Sequence, residues 1–83
     1  MTAVGAEDNT MKIDSSNQRY QEIEIPGGFV RVTYINNGWA DSPSVRVQIC
    51  DESGHLRQGP EIPISVLKEV VGATVFLLEN TSA

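Results

Sequence analysis

The chain has 83 residues, enough for one domain but too few to bury a large core on its own. Eleven acidic against six basic residues give a formal charge of −5, so the chain lacks the basic balance of a typical nucleic-acid binder, and any contact with phosphate needs a local patch. The single cysteine excludes an internal disulfide and a CxxC site, and the longest apolar-rich stretch, 66–78, contains Lys68 and Glu69 and is too short to span a bilayer.

Residues 1–18 are small, polar and aperiodic, which predicts a disordered N-terminal tail ahead of one domain over 19–83. The opening residues have no apolar core of the kind a secretory leader carries, and with the lone Cys50 this points to a reducing, cytoplasmic setting. Arg19 to Ile25 alternates, with Glu22 and Glu24 on one face and Ile23 and Ile25 on the other, and reads as a first strand. Pro26-Gly27-Gly28 stops it and turns the chain.

The stretch from Gly28 to Asp51 then holds two alternating runs. Val30, Val32 and Tyr34 share one face of the first, with Phe29, Arg31, Thr33 and Ile35 on the other. Val45, Val47 and Ile49 share one face of the second, opposite Arg46, Gln48 and Cys50. Asn36, Asn37, Gly38, Asp41, Ser42 and Pro43 supply the turn between them, so the pair reads as a β-hairpin with an apolar face and an arginine-bearing face.

After a polar turn region, 51–59, Glu61 to Ser65 reads as a short apolar piece that Pro60 and Pro63 confine to an edge strand, and Ser65 is placed as a helix N-cap. Over 66–79, Leu67, Val70, Val71, Thr74 and Leu78 make a helical stripe, and Val66, Ala73 and Leu77 extend the apolar surface round a second side. The rival reading ends the helix at Gly72 and makes 73–79 a closing strand. The fold class is α+β: a curved antiparallel sheet of about four strands followed by a C-terminal helix. A helix apolar on two sides needs more cover than one small sheet provides, which predicts a homodimer through Val66, Val70, Ala73 and Leu77.

Gly54-His55-Leu56-Arg57-Gln58-Gly59 followed by Ile62-Pro63-Ile64 is similar to the turn, strand and helix entry of the positive cofactor four family of single-stranded-DNA-binding transcriptional coactivators. The resemblance covers about residues 20–79. It implies a curved four-stranded sheet, dimerisation through the helices and a nucleic-acid contact on the open sheet face, where Arg31 and Arg46 fall. Gly54, Leu56, Arg57 and Gly59 match the turn by type, whereas His55 replaces its acidic position and Pro60-Glu61 replaces basic residues.

Arg31, Arg46, Gln48, Arg57 and Trp39 are the candidate nucleic-acid contacts, since guanidinium groups bind phosphate and an exposed indole stacks on bases. The structural reading is that Arg31 and Arg46 pair with Glu22 and Glu24 across strands, and that Trp39 folds back as core. His55, Cys50 and the acids Asp51, Glu52 and Glu61 form no catalytic or metal-ligand pattern, and no glycine-rich phosphate loop precedes a helix, so the chain reads as a non-enzyme without cofactor, metal or small-molecule substrate. Two functions remain: a dimeric module for single-stranded nucleic acid that serves transcription, or an acidic inhibitor or adaptor that occupies a basic protein surface.

Overall fold

A computed structural model of the chain describes residues 11–81. Five antiparallel strands form an open sheet in sequence order: β1 (Lys12–Ile13), β2 (Arg19–Ile25), β3 (Gly28–Ile35), β4 (Ser44–Asp51) and β5 (Glu61–Pro63). A helix, α1 (Leu67–Thr81), closes the chain after a single 3-10 turn over Ile64–Val66. The expected α+β architecture is present, with one strand more than the four anticipated. The extra strand lies in the stretch read as a tail: Lys12 and Ile13 pair with Tyr20 and Arg19, and the Asp14 carboxylate accepts from the backbone N–H groups of Ser16 and Gln18 to close the turn between the strands. The rest of that stretch, 1–10, lies outside the described residues.

Short turns fix the register. Pro26-Gly27 joins β2 to β3, and Gly27 takes φ 83°, the left-handed value a type II turn requires at its third residue. Beyond β4, Gly54 takes φ 86° in a turn closed by its N–H on the Asp51 carbonyl, after which the chain returns along β4. Arg57 N–H donates to the Ile49 carbonyl and Val47 N–H to the Pro60 carbonyl, so an irregular segment covers the β4 edge before β5 begins.

Directly opposed residues of antiparallel strands share a face. The pairs Glu22–Arg31, Thr33–Arg46 and Arg31–Gln48 define a polar face, and Ile23–Val30, Val32–Val47 and Val45–Ile62 an apolar one. The side-chain assignment read from the alternation is reproduced at every position of β2, β3 and β4. Among the described residues the fully packed positions, Thr33, Ile35, Ser44 and Cys50, all belong to the polar face. The apolar face is the more open of the two, with Ile23 52% and Ile49 47% exposed.

The full-length reading of the helix holds: 73–79 is helical, and Gly72 lies inside α1 with open space around it. Ser65 is not an N-cap. The 3-10 turn after Pro63 carries the chain into α1 with no side-chain cap. Helical spacing spreads Leu67, Val70, Val71, Ala73, Leu77 and Leu78 over about half the circumference, and Lys68, Glu69 and Glu79 lie on the remainder together with Val75 and Phe76. Apart from the turn before it, α1 has no substantial packing partner among the described residues, and Phe76, Leu77 and Leu78 are each more than half exposed. The radius of gyration, 14.2 Å, exceeds the about 12 Å of a compact chain of this length. The accessible surface, 6244 Å², exceeds the about 4,900 Å² of a folded monomer of this mass.

Candidate functional site

The polar face is a row of cross-strand ion pairs. Arg31 Nε and Nη2 both donate to Glu22 Oε2, at 3.1 and 2.8 Å, and Lys12 Nζ reaches Glu22 Oε1 at 3.3 Å. The Arg31 guanidinium also stacks 4.4 Å from the Tyr20 ring centroid, a cation–π contact. Arg46 Nε and Nη2 donate to Glu61 Oε2 at 2.9 and 2.6 Å. The anticipated Arg31–Glu22 pair is therefore present, but the partner of Arg46 is Glu61 and not Glu24. The edge strand places Glu61 directly opposite Arg46.

Burial strips water from the Glu22 carboxylate and acts to raise its pKa, but hydrogen bonds from Arg31 and then Lys12 outweigh it and hold the group below its ordinary value of 4.5. A hydrogen bond from the Ser53 hydroxyl, followed by the His55 backbone N–H, likewise holds Asp51 below 3.8. Both groups are depressed carboxylates, so their stabilisation is complete above these ordinary values and is lost as pH falls through the lower folded values. Thermal unfolding should show a flat midpoint from neutral pH to about 5 and a decline below about 4.5. A Glu22→Gln chain should show a shallower decline. In a double-mutant cycle, the Glu22–Arg31 coupling should be about 0.2–1 kcal/mol, as for half-exposed cross-strand pairs. A chain equally stable at pH 3 and pH 7 would contradict this assignment.

Of the five residues expected to contact nucleic acid, the fold brings three into one groove. Trp39, Arg46 and Gln48 line a cleft of about 500 Å³ together with Gln58, Gly59 and Pro60, and Glu61 forms part of the wall. Arg31 lies opposite Gln48 on the same face but is held by Glu22 and Tyr20. Arg57 does not join the cleft. It turns to Asp51 at 3.3 Å on the outer side of the 51–55 turn.

Trp39 is not core: it is 63% exposed. Its loop is nevertheless tightly built. The Trp39 N–H donates to Ser44 Oγ, Ser44 Oγ–H donates to the Ser42 carbonyl, and Ser42 Oγ–H donates to the Trp39 carbonyl. Gly38 N–H donates to the Ser42 carbonyl, and a Cβ at Gly38 would meet Ser44 Cβ at 2.5 Å. Ala40 and Asp41 take φ 52° and 61°, left-handed values that cost non-glycine residues about 1–3 kcal/mol each and persist only where the surroundings impose them. Ser44, wholly buried beneath this loop, is the site residue that sequence reasoning missed; its signal was a small polar residue at an inward strand position beside Gly38 and Ser42.

The expected dimer residues Val66, Val70, Ala73 and Leu77 lie along one side of the last turn and α1, all exposed. At the β1 end, the apolar sheet face opens into a second cleft, of about 750 Å³, lined by Met11, Arg19, Val32, Tyr34 and Val45. Among the described residues, no group of histidine, cysteine or carboxylate side chains is placed to hold a metal ion, and no helix is long and apolar enough to cross a membrane. Comparison with protein-family models, curated proteins and solved structures finds no match to this chain.

Proposed function

We propose that the chain is a small dimeric protein-binding module that acts by occupying a basic surface on its partner. The observation that carries this reading is the inversion of the sheet: its polar face is packed and ion-paired, while its apolar face and the apolar side of α1 are open. Exposed apolar surface on this scale marks an interface. One chain holds both a strand face of eight-residue strands and a fifteen-residue helix, so two copies can cover each other's apolar surfaces without a third component. About 800 Å² per partner makes a standard interface.

Charge supports the choice of outer partner. Among the described residues, Glu24, Asp41, Glu52, Glu69 and Glu79 are exposed and outside any ion pair, against Arg19 and Lys68 alone of the bases. Such a surface steers toward cations and away from phosphates. Single-stranded nucleic acid is the second reading, favoured by the exposed indole of Trp39 beside Arg46 and Gln48.

Retention of the intact protein on immobilised single-stranded DNA and on an immobilised basic protein, each at two salt concentrations, separates the two. The expected result is retention on the basic protein, weakened by salt, and none on DNA even at low salt. Retention on DNA that falls steeply with salt, and drops further in Arg46→Ala, would overturn this choice in favour of the second reading.

A further inference from the structure

We propose that the groove between Trp39 and Pro60 is the recognition site of this module, and that its ligand is an extended peptide segment presenting a proline to the indole next to a basic side chain. This deepens the protein-binding reading and rests on it. The groove joins two features that bind peptides by different chemistry. Trp39, on the pinned 38–44 loop, and Pro60, on the segment docked against β4, both line it. An exposed aromatic ring in a groove with a second apolar ring suits a polyproline-like segment, which loses little conformational freedom on docking. The rest of its lining is polar. Gln48 and Gln58 carry side-chain amides that can each donate and accept, matching the alternating donors and acceptors of an extended peptide backbone.

The charges of the groove select among ligands. Both donating nitrogens of Arg46 are engaged on Glu61 Oε2, so the one cation in the groove is neutralised there. Asp41, two residues from Trp39 in the same loop, is exposed with no ion-pair partner among the described residues, so the loop that carries the indole is acidic. A polyanion gains nothing from this arrangement, whereas a lysine or arginine beside the docked proline meets Asp41.

Trp39 is the only tryptophan, so its emission reports directly on the groove of the intact protein. The probe is a labelled proline-rich peptide interspersed with lysines, followed by Trp39 emission and by anisotropy of the label. The expected result is a saturable shift in emission, at least about tenfold weaker binding for Trp39→Ala, and a several-fold loss for Gln48→Ala and for Gln58→Ala, with thermal midpoints unchanged. Asp41→Asn should weaken the lysine peptide several-fold and leave a lysine-free proline peptide unaffected. No binding of the peptide, or binding that Trp39→Ala leaves intact, would overturn the proposal. An emission shift caused by a deoxythymidine oligonucleotide and not by the peptide would also overturn it, assigning the groove to stacked bases. If a basic protein retains wild type and Trp39→Ala equally, the groove proposal falls and the broader protein-binding reading stands. If it retains neither, both fall.

Discussion

Leu77→Glu should convert the protein from a folded dimer into a monomer with little cooperative structure. Leu77 is the last residue of the exposed row Val66, Val70, Ala73 and Leu77, where the proposed interface runs. Burying a leucine contributes about 1.5–3 kcal/mol, and a two-fold interface loses the contribution twice. The lost burial alone predicts dissociation at least about a hundredfold easier, before the cost of a carboxylate in an apolar contact is added. The monomer cannot compensate, because its fully packed positions among the described residues are Thr33, Ile35, Ser44 and Cys50, too few to sustain a core. Leu77→Ala should weaken association with folding retained at high concentration. Lys68→Glu, on the polar side of α1, should leave the mass unchanged. Sedimentation against concentration, read beside thermal unfolding, checks all three. A Leu77→Glu chain that still sediments as a dimer would remove α1 from the interface.

Gly59→Ala should be strongly destabilising. A Cβ there would stand 1.5 Å from the Val47 carbonyl oxygen, a backbone atom of a central strand that cannot move aside. The 57–60 segment would have to lift off β4, giving up the hydrogen bonds from Val47 N–H to Pro60 and from Arg57 N–H to Ile49. Overpacking costs about 1–3 kcal/mol and each of the two lost hydrogen bonds about 1 kcal/mol, so a loss of about 3–5 kcal/mol is expected. For a domain of this size that lowers the thermal midpoint by more than about 10 °C. The same displacement would pull Glu61 from Arg46 and open the Trp39 groove. Gly72→Ala is the internal control of opposite sign. Its Cβ would meet nothing within 4 Å, and alanine in a helix interior should add about 0.5–1 kcal/mol. Equal midpoints for the two variants would show that the 57–60 segment is not docked as described.

The features legible in the sequence are those set by local period. Alternation placed Arg31, Arg46, Gln48 and the valines on their correct faces, because a strand's side chains have no third direction to take. The two-sided apolar character of 66–79 likewise followed from helical spacing. What escaped was set by register between distant segments. Arg46 meets Glu61 only because Gly59 lets the returning chain lie flat on β4, and no periodicity carries that information. Lys12–Ile13 is too short to show alternation and is held by its partner strand and the Asp14 turn. Ser65 resembled a cap by composition, but Pro63 sets a 3-10 turn that carries the chain past it. Residue types leave Trp39 open between core and surface. The Ser44 hydroxyl network decides the matter, and it depends on a strand register that residue types alone do not specify.

The most direct test of the account is sedimentation equilibrium of the unmodified chain across the micromolar range. The account predicts a single species of about twice the 9.1 kDa chain mass, dissociating only on dilution and losing cooperative unfolding as it does so. A species of 9.1 kDa that unfolds cooperatively at every concentration would contradict it, since the open apolar sheet face and α1 would then have no partner to explain them.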